Sequence, residues 1–286
     1  MPPIPKRIEE MLTEGLKRFQ PILSSAKTRD VNEADTVVIA TDVLADVFGY
    51  DKYSEITREY AIRGTLCDLA IKLDEQPRLL IEVKAIGLEL KDAHVKQAVD
   101  YAANKGIEWT VLTNGARWKV YRVTFGKPID QELIIDLDLL TLNAKTHGHI
   151  EMLYPLSRDG LVKSALLEYH TQRQAMSKFS LAALLLCEPM LKTIRRELRR
   201  FSPGVSIETE DIKIALMEDV LKREVVEGEK AEEARRRLQR LLRKQLRASQ
   251  PRSEGEVMEN SEEAETSGSE VVTEIATEVV NDRIGE

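Results

Sequence analysis

Cysteine is scarce in this 286-residue chain: Cys67 and Cys187 are the only two. Two thiols cannot build a disulfide framework, which fits a reduced, cytoplasmic setting. Long apolar runs are missing as well. The longest, "LAALLLC" at 181–187, falls far short of the roughly 20 residues that cross a bilayer, so no membrane span is expected. The opening "MPPIPKRIEEMLTEG" lacks the apolar stretch of a signal peptide. No G-x-x-x-x-G-K-[ST] element occurs. The nearest approach, "FGKP" at 125–128, is broken by its proline, so the phosphate-cradling loop of an ATP-driven motor is not expected. Zinc-type ligand spacing is absent around His147 and His149, and "THGH" reads as a loop. No serine or cysteine stands out as a nucleophile. Cys67 falls in a strand and Cys187 in an apolar helix, where a thiol packs as a small hydrophobe.

The formal net charge of −7 hides an uneven distribution. Residues 1–150 carry 20 basic and 23 acidic side chains, residues 151–250 carry 20 and 15, and residues 251–286 carry 2 and 11. The middle segment can meet a polyanion and the last cannot. The chain accordingly divides into a domain at 1–140, a helical accessory region at 150–248 and an acidic tail at 249–286. The tail is rich in Glu and Ser, has no aromatic residue and is expected to be disordered. Within it, "EVVTEIATEVV" (270–280) sets Val272, Ile275 and Val279 on one helical face, a pattern suited to a transient helix on a partner.

Helical spacing of Ile8, Met11, Leu12, Leu16, Phe19 and Leu23 predicts a helix from Pro5 to about Lys27. A second helix is predicted over 32–48, with Asn32 as its N-cap and Gly49 as its stop. The period then shortens. "TREYAIR" (57–63), "TLCDLAIKL" (65–73) and "RLLIEVKAI" (78–86) read as strands joined by Gly64 and by the turn-like "DEQP". "KDAHVKQAVDYAANKG" (91–106) reads as a helix with an apolar line through Ala93, Ala98 and Ala102, closed by Gly106. Two alternating strands then flank Asn114-Gly115, a dipeptide that favours a tight left-handed hairpin turn. A meander followed by strand–helix–strand predicts an α/β fold with a mixed sheet flanked by helices. Beyond Leu153 the pattern is helical, with 161–175 as one helix and 180–201 as another kinked at Pro189.

"RLLIEVKAI" sets Glu82 and Lys84 into an otherwise apolar strand, on the same face as Leu80. The preceding strand carries Asp68, another lone acid among apolar residues. If the two strands pair, Asp68 and Glu82 lie side by side. Burying such groups costs several kcal/mol unless something compensates. A solvated face, a structural ion pair and a metal site all satisfy that requirement. In the metal reading, the two carboxylates and the carbonyl of Val83 offer hard oxygen ligands to Mg²⁺, for which Mn²⁺ can substitute. Lys84 then orients the attacking water and stabilises charge on a phosphate.

From "G-x-x-C-D" through "IEVKA" to "TNGARWKVY", the stretch 30–125 resembles the N-terminal nuclease domain of type I restriction-enzyme R subunits, a branch of the PD-(D/E)xK, restriction-endonuclease-like superfamily. "DVFGYD" (46–51) resembles that family's lead-in, and Gln97 and Tyr101 match its Q-x-x-x-Y spacing. The resemblance implies metal binding by Asp68 and Glu82, with Lys84 as the catalytic lysine. It also implies support from Gln97 on the following helix, Tyr101 packing or touching nucleic acid nearby, and a further acid on the first core helix. Glu33 is the candidate for that acid, with Asp35 behind it. Cys67 stands where the superfamily's name has proline. R subunits of this kind fuse the nuclease to a translocase, so the chain reads as a stand-alone module or as one part of an assembly whose partner supplies motor or specificity.

The basic runs "RRELRR" (195–200) and "ARRRLQRLLRKQLR" (234–247) admit two readings. Arg195, Arg196, Arg199 and Arg200 can neutralise backbone phosphates. Alternatively they line the solvated faces of amphipathic helices, with Leu238, Leu241, Leu242 and Leu246 packed and Glu232–Arg236 and Glu233–Arg237 as supporting pairs. The leading functional expectation is a cytoplasmic, Mg²⁺-dependent nuclease acting on DNA. A partner-dependent nucleic-acid-binding subunit of a defence or repair assembly is the second, and a helical interaction scaffold is the third.

Overall fold

The structure, a computed structural model, describes residues 3–62 and 65–248. Gly64 and the tail from 249, with its 270–280 segment, lie outside the described residues. Two compact units divide at Ser177/Lys178.

The first unit begins with α1 (Lys6–Thr28) and α2 (Glu33–Asp46). Asn32 caps α2 as its spacing predicts, its side-chain oxygen accepting from Asp35 N at 2.9 Å. Strands β1 (Ile56–Ile62), β2 (Thr65–Leu73) and β3 (Gln76–Val83) form an antiparallel meander. Asp74 and Glu75 turn the β2–β3 hairpin, both in the left-handed region at φ 52° and 61°. Gln76 and Pro77 of the predicted "DEQP" turn already belong to β3. Helix α3 (Asp92–Lys105) crosses over to β4 (Trp109–Thr113), which runs parallel to β3. β5 (Arg117–Thr124) and β6 (Asp130–Asp138) complete one six-stranded mixed sheet in the order β1-β2-β3-β4-β5-β6. The α/β fold expected from the sequence is thus present.

Alternation along β3 builds both sides of this sheet. Leu79, Ile81 and Val83 face the large core with Leu12, Leu16, Phe19 and Leu23 of α1 and Val43 and Leu44 of α2. Leu80 faces a smaller core with Val95, Val99 and Ala102 of α3. Ala93, expected on the apolar line of α3, is exposed; Val95 and Val99 take its place. In the β4–β5 loop Gly115 has φ 80°, but Asn114 does not join it in the left-handed region. Its carboxamide oxygen instead accepts from Arg117 N at 2.8 Å, and Trp118 Nε1 donates to Gly115 O at 2.8 Å.

Helices α4 (His147–Leu153), α5 (Arg158–Val162) and α6 (Ala165–Ala175) also belong to the first unit. Ile150, Leu153, Tyr154, Leu156, Ala165 and Leu166 join the large core. The predicted single helix over 161–175 is split because Ser164 adopts φ 57°. "THGH" starts α4 rather than forming a loop. His147 Nδ1 sits 2.8 Å from Glu9 Oε1, while His149 Nδ1 accepts from Asn143 N at 2.8 Å, so the two rings serve different partners.

The second unit holds α7 (Lys178–Leu185), α8 (Glu188–Phe201), α9 (Thr209–Ala215), α10 (Arg223–Val226) and α11 (Glu229–Ala248). Pro189 sits in the first turn of α8, where its missing N–H costs nothing, so it opens a new helix instead of kinking a long one. Leu241, expected to be packed, is 52% exposed.

The close approach of α1 to α2 gives a test. A Cβ on Gly15 would lie 2.8 Å from the Val47 Cα and 3.0 Å from the Asp46 carbonyl oxygen. Helix propensity alone favours Gly15→Ala by about 1 kcal/mol. The contact reverses that sign, so the substitution lowers the thermal midpoint measured by circular dichroism. A raised midpoint would mean that the helices part freely.

Candidate active site

The site grows out of an irregularity in the strands. Two residues apart in a regular strand, Cys67 and Leu69 should share a face. Instead Cys67 lies in the α3-side core and Leu69 in the large one, so alternation breaks at Asp68. Across the ladder Arg58 pairs with Leu69 and Tyr60 with Cys67. Between them Glu59 adopts φ 48°, opposite Asp68. The Asp68 side chain is thereby turned toward β3, where its Oδ2 accepts from Val83 N at 2.7 Å. The β2–β3 register pairs Leu69 with Ile81, which sets Asp68 opposite Glu82 one step further on.

Glu82 is carried by a central strand, and its side chain is only 2% exposed. Lys84 lies just past the end of β3, not within it as the sequence suggested. Its backbone N donates to Thr113 O at 2.8 Å, continuing the parallel alignment with β4. Two residues later Ile86 N donates to Thr36 Oγ1 of α2 at 3.1 Å, and Asn114 Nδ2 donates to Ile86 O at 3.2 Å. These bonds fix the exit of β3 between the first turn of α2 and the β4–β5 loop. So anchored, Lys84 Nζ donates to Glu82 Oε1 at 2.6 Å and lies 3.9 Å from Oε1 of Glu33, the first residue of α2. Glu82 Oε2 is buried and has no hydrogen-bond partner.

The electrostatics follow from burial. Desolvation, with Asp68 nearby and only partly offset by Lys84, pushes the Glu82 carboxyl up to about 7. Desolvation also raises Asp68, against the pull of the Val83 amide and Lys84; Glu33 and Glu59 add to the rise. For Lys84 burial works the other way. The hydrogen bond to Glu82 and the fields of Glu82, Glu33 and Asp68 outweigh it and hold the ammonium above its ordinary value. Burial lifts the Cys67 thiol to about 12, so that residue is packing and not a nucleophile.

Asp68, Glu82, Val83, Lys84 and Glu33 therefore meet at one place. Gln97 does not join them through any hydrogen bond. It is exposed on α3 and donates to Tyr101 OH at 3.0 Å. His94 accepts from Lys91 N at 3.2 Å at the start of that helix. Asp35 gives its amide to the Asn32 cap. The four arginines lie in the second unit, each with an acid partner there: Arg195 and Arg199 with Glu208 at 2.8 and 3.8 Å, Arg196 and Arg200 with Glu197 at 3.0 and 2.9 Å. Glu59 was missed; its one signal in the sequence is a charged residue in mid-strand opposite another acid. Among the described residues no group of three or more His, Cys, Asp or Glu is arranged to hold a metal ion. Any ion here would rest on the Asp68–Glu82 pair with backbone, water or substrate oxygens completing its shell.

Residues 33–134 match the family of the type I restriction enzyme R protein N terminus. The matched segment spans just over a third of the chain and includes Glu33, Asp68, Glu82, Lys84, Gln97 and Tyr101, but none of the four arginines. Its likeness points to a restriction-type nuclease domain. No curated protein and no solved structure matches the chain.

Glu82 yields a pH test. Its carboxyl titrates near 4.5 when unfolded and near 7 when folded. The stability it contributes is full below 4.5 and lost as pH rises through 7, a slope of up to about 1.4 kcal/mol per pH unit. In urea unfolding with a chelator present, Glu82→Gln removes that part of the slope. Identical slopes for both proteins would show that Glu82 ionises in the fold as readily as in water.

Proposed function

We propose that the segment 33–134 is a Mg²⁺-dependent nuclease that hydrolyses phosphodiester bonds in DNA. The observation that carries this reading is Glu82 Oε2, a buried carboxylate oxygen with no donor, beside Asp68 and Lys84. Leaving such an atom unmatched is costly, and a hard divalent cation is the partner its chemistry suits. Asp68, Glu82 and the Val83 carbonyl would hold the ion, with Glu33 at the margin; Mn²⁺ can replace Mg²⁺. When bound, the ion supplies Lewis-acid polarisation of the phosphate and a more acidic water.

The chain's own groups divide the remaining work. Lys84 keeps its proton at neutral pH, so it acts as a fixed positive donor to the phosphate and the attacking water, not as a general base. Glu82 and Glu33 hold the ammonium in place. Water oxygen bonds to phosphorus, the bond from phosphorus to the leaving sugar oxygen breaks, and that oxygen takes up a proton. A protein partner would supply motor or specificity, in a cytoplasmic setting. The pairing of Gln97 with Tyr101, and not with either acid, favours one second reading: a partner-dependent nucleic-acid-binding subunit.

The deciding experiment incubates the full chain with supercoiled, linear and single-stranded DNA in Mg²⁺, Mn²⁺ or EDTA. Cleavage should require the metal, and Asp68→Asn and Lys84→Met should each slow it at least about a hundredfold. Cleavage that survives either substitution removes the site from the reaction. DNA binding without cleavage by the parent protein supports the second reading.

A further inference from the structure

Another group of side chains lies on the α3 side of the sheet. Tyr60 of β1 is partly buried and packs against the smaller core. Two ammonium groups converge on its ring, Lys72 Nζ from β2 and Lys105 Nζ from the last turn of α3, each 5.4 Å from the ring centroid. They are therefore at most twice that distance apart. Some lysines of this unit have acid partners, such as Lys52 with Asp42 at 2.6 Å and Lys163 with Asp159 at 3.0 Å. Among the described residues, no carboxylate pairs with Lys72 or Lys105.

Two like charges gathered without a counter-charge repel each other. The face of an aromatic ring offsets part of that repulsion and fixes the lysine stems. What remains is a preformed positive spot that an anion would complete. Its place in the fold names the anion. The backbone of Tyr60 pairs with Cys67, the residue just before Asp68, and Lys72 lies on the strand that carries Asp68. Along a nucleic-acid duplex each strand carries a phosphate about every 3.4 Å, so a strand whose phosphate lies at Asp68 and Glu82 has others within reach of this spot.

We propose that Lys72 and Lys105, steadied by Tyr60, form a phosphate cradle for the nucleic-acid backbone flanking the bond that is cut. The proposal rests on the nuclease reading above. Ammonium groups meet phosphate as point charges, so the cradle positions the strand and reads no sequence. It differs from the arginines of α8, each of which has a glutamate partner, one glutamate to two arginines, within its own unit.

The test measures binding of fluorescent duplex and single-stranded DNA to the full chain by anisotropy in EDTA, over a range of salt concentrations. Replacing both lysines, K72Q/K105Q, should reduce the slope of log affinity against log salt by about 1.8 for duplex or about 1.4 for single strands. Lys72→Arg with Lys105→Arg should restore the slope, and circular dichroism checks that all variants are folded. Asp68→Asn should abolish cleavage and leave the slope as it is. An unchanged slope in the glutamine variant overturns the cradle while leaving the nuclease reading intact. A parent protein that cleaves nothing and binds no DNA overturns both.

Discussion

A carboxylate held at 2% exposure in a central strand is the constraint around which this site is organised. Glu82 cannot lie there without an answering charge, and Lys84 supplies one on a single oxygen. That ammonium is in reach because the backbone past β3 is bonded to β4 and to α2 instead of running free. The parallel β3–β4 pair, the crossover helix that permits it and the capped start of α2 are thus prerequisites of one ion pair. The second oxygen of Glu82 has no such answer, and this imbalance separates the site from an ordinary buried salt bridge.

Much of this was legible in the sequence because it depends on short-range regularities. Strand alternation set Glu82 on the face of Leu80, the Asn32 cap was readable from its spacing, and the change of period from meander to strand–helix–strand announced a mixed sheet. What escaped notice depends on exceptions. Nothing in "TLCDLAIKL" announces that alternation breaks at Asp68, since Cys67 and Leu69 are both apolar and suit either core. β6 went unread because its first four residues are exposed and only Ile134, Ile135 and Leu137 are buried. Ser164 splits a helix through a left-handed backbone that serine rarely adopts. Gln97 had the right spacing for a supporting role, yet spacing does not say which neighbour a carboxamide prefers.

The two units treat positive charge differently. Along α8 the four arginines of the basic run share two glutamates, an exposed arrangement that contributes little to stability. Among the described residues of the first unit, the lysines at Tyr60 have none.

β1 is an outer strand of the sheet, with one side of its backbone unmatched by any other strand among the described residues. Such a margin invites strands from other molecules to add on and seed aggregates. The left-handed backbone at Glu59 interrupts it midway with a charged residue, so no long, flat row of amides and carbonyls is offered. The distortion that turns Asp68 inward on one side thus also guards against intermolecular β-pairing on the other.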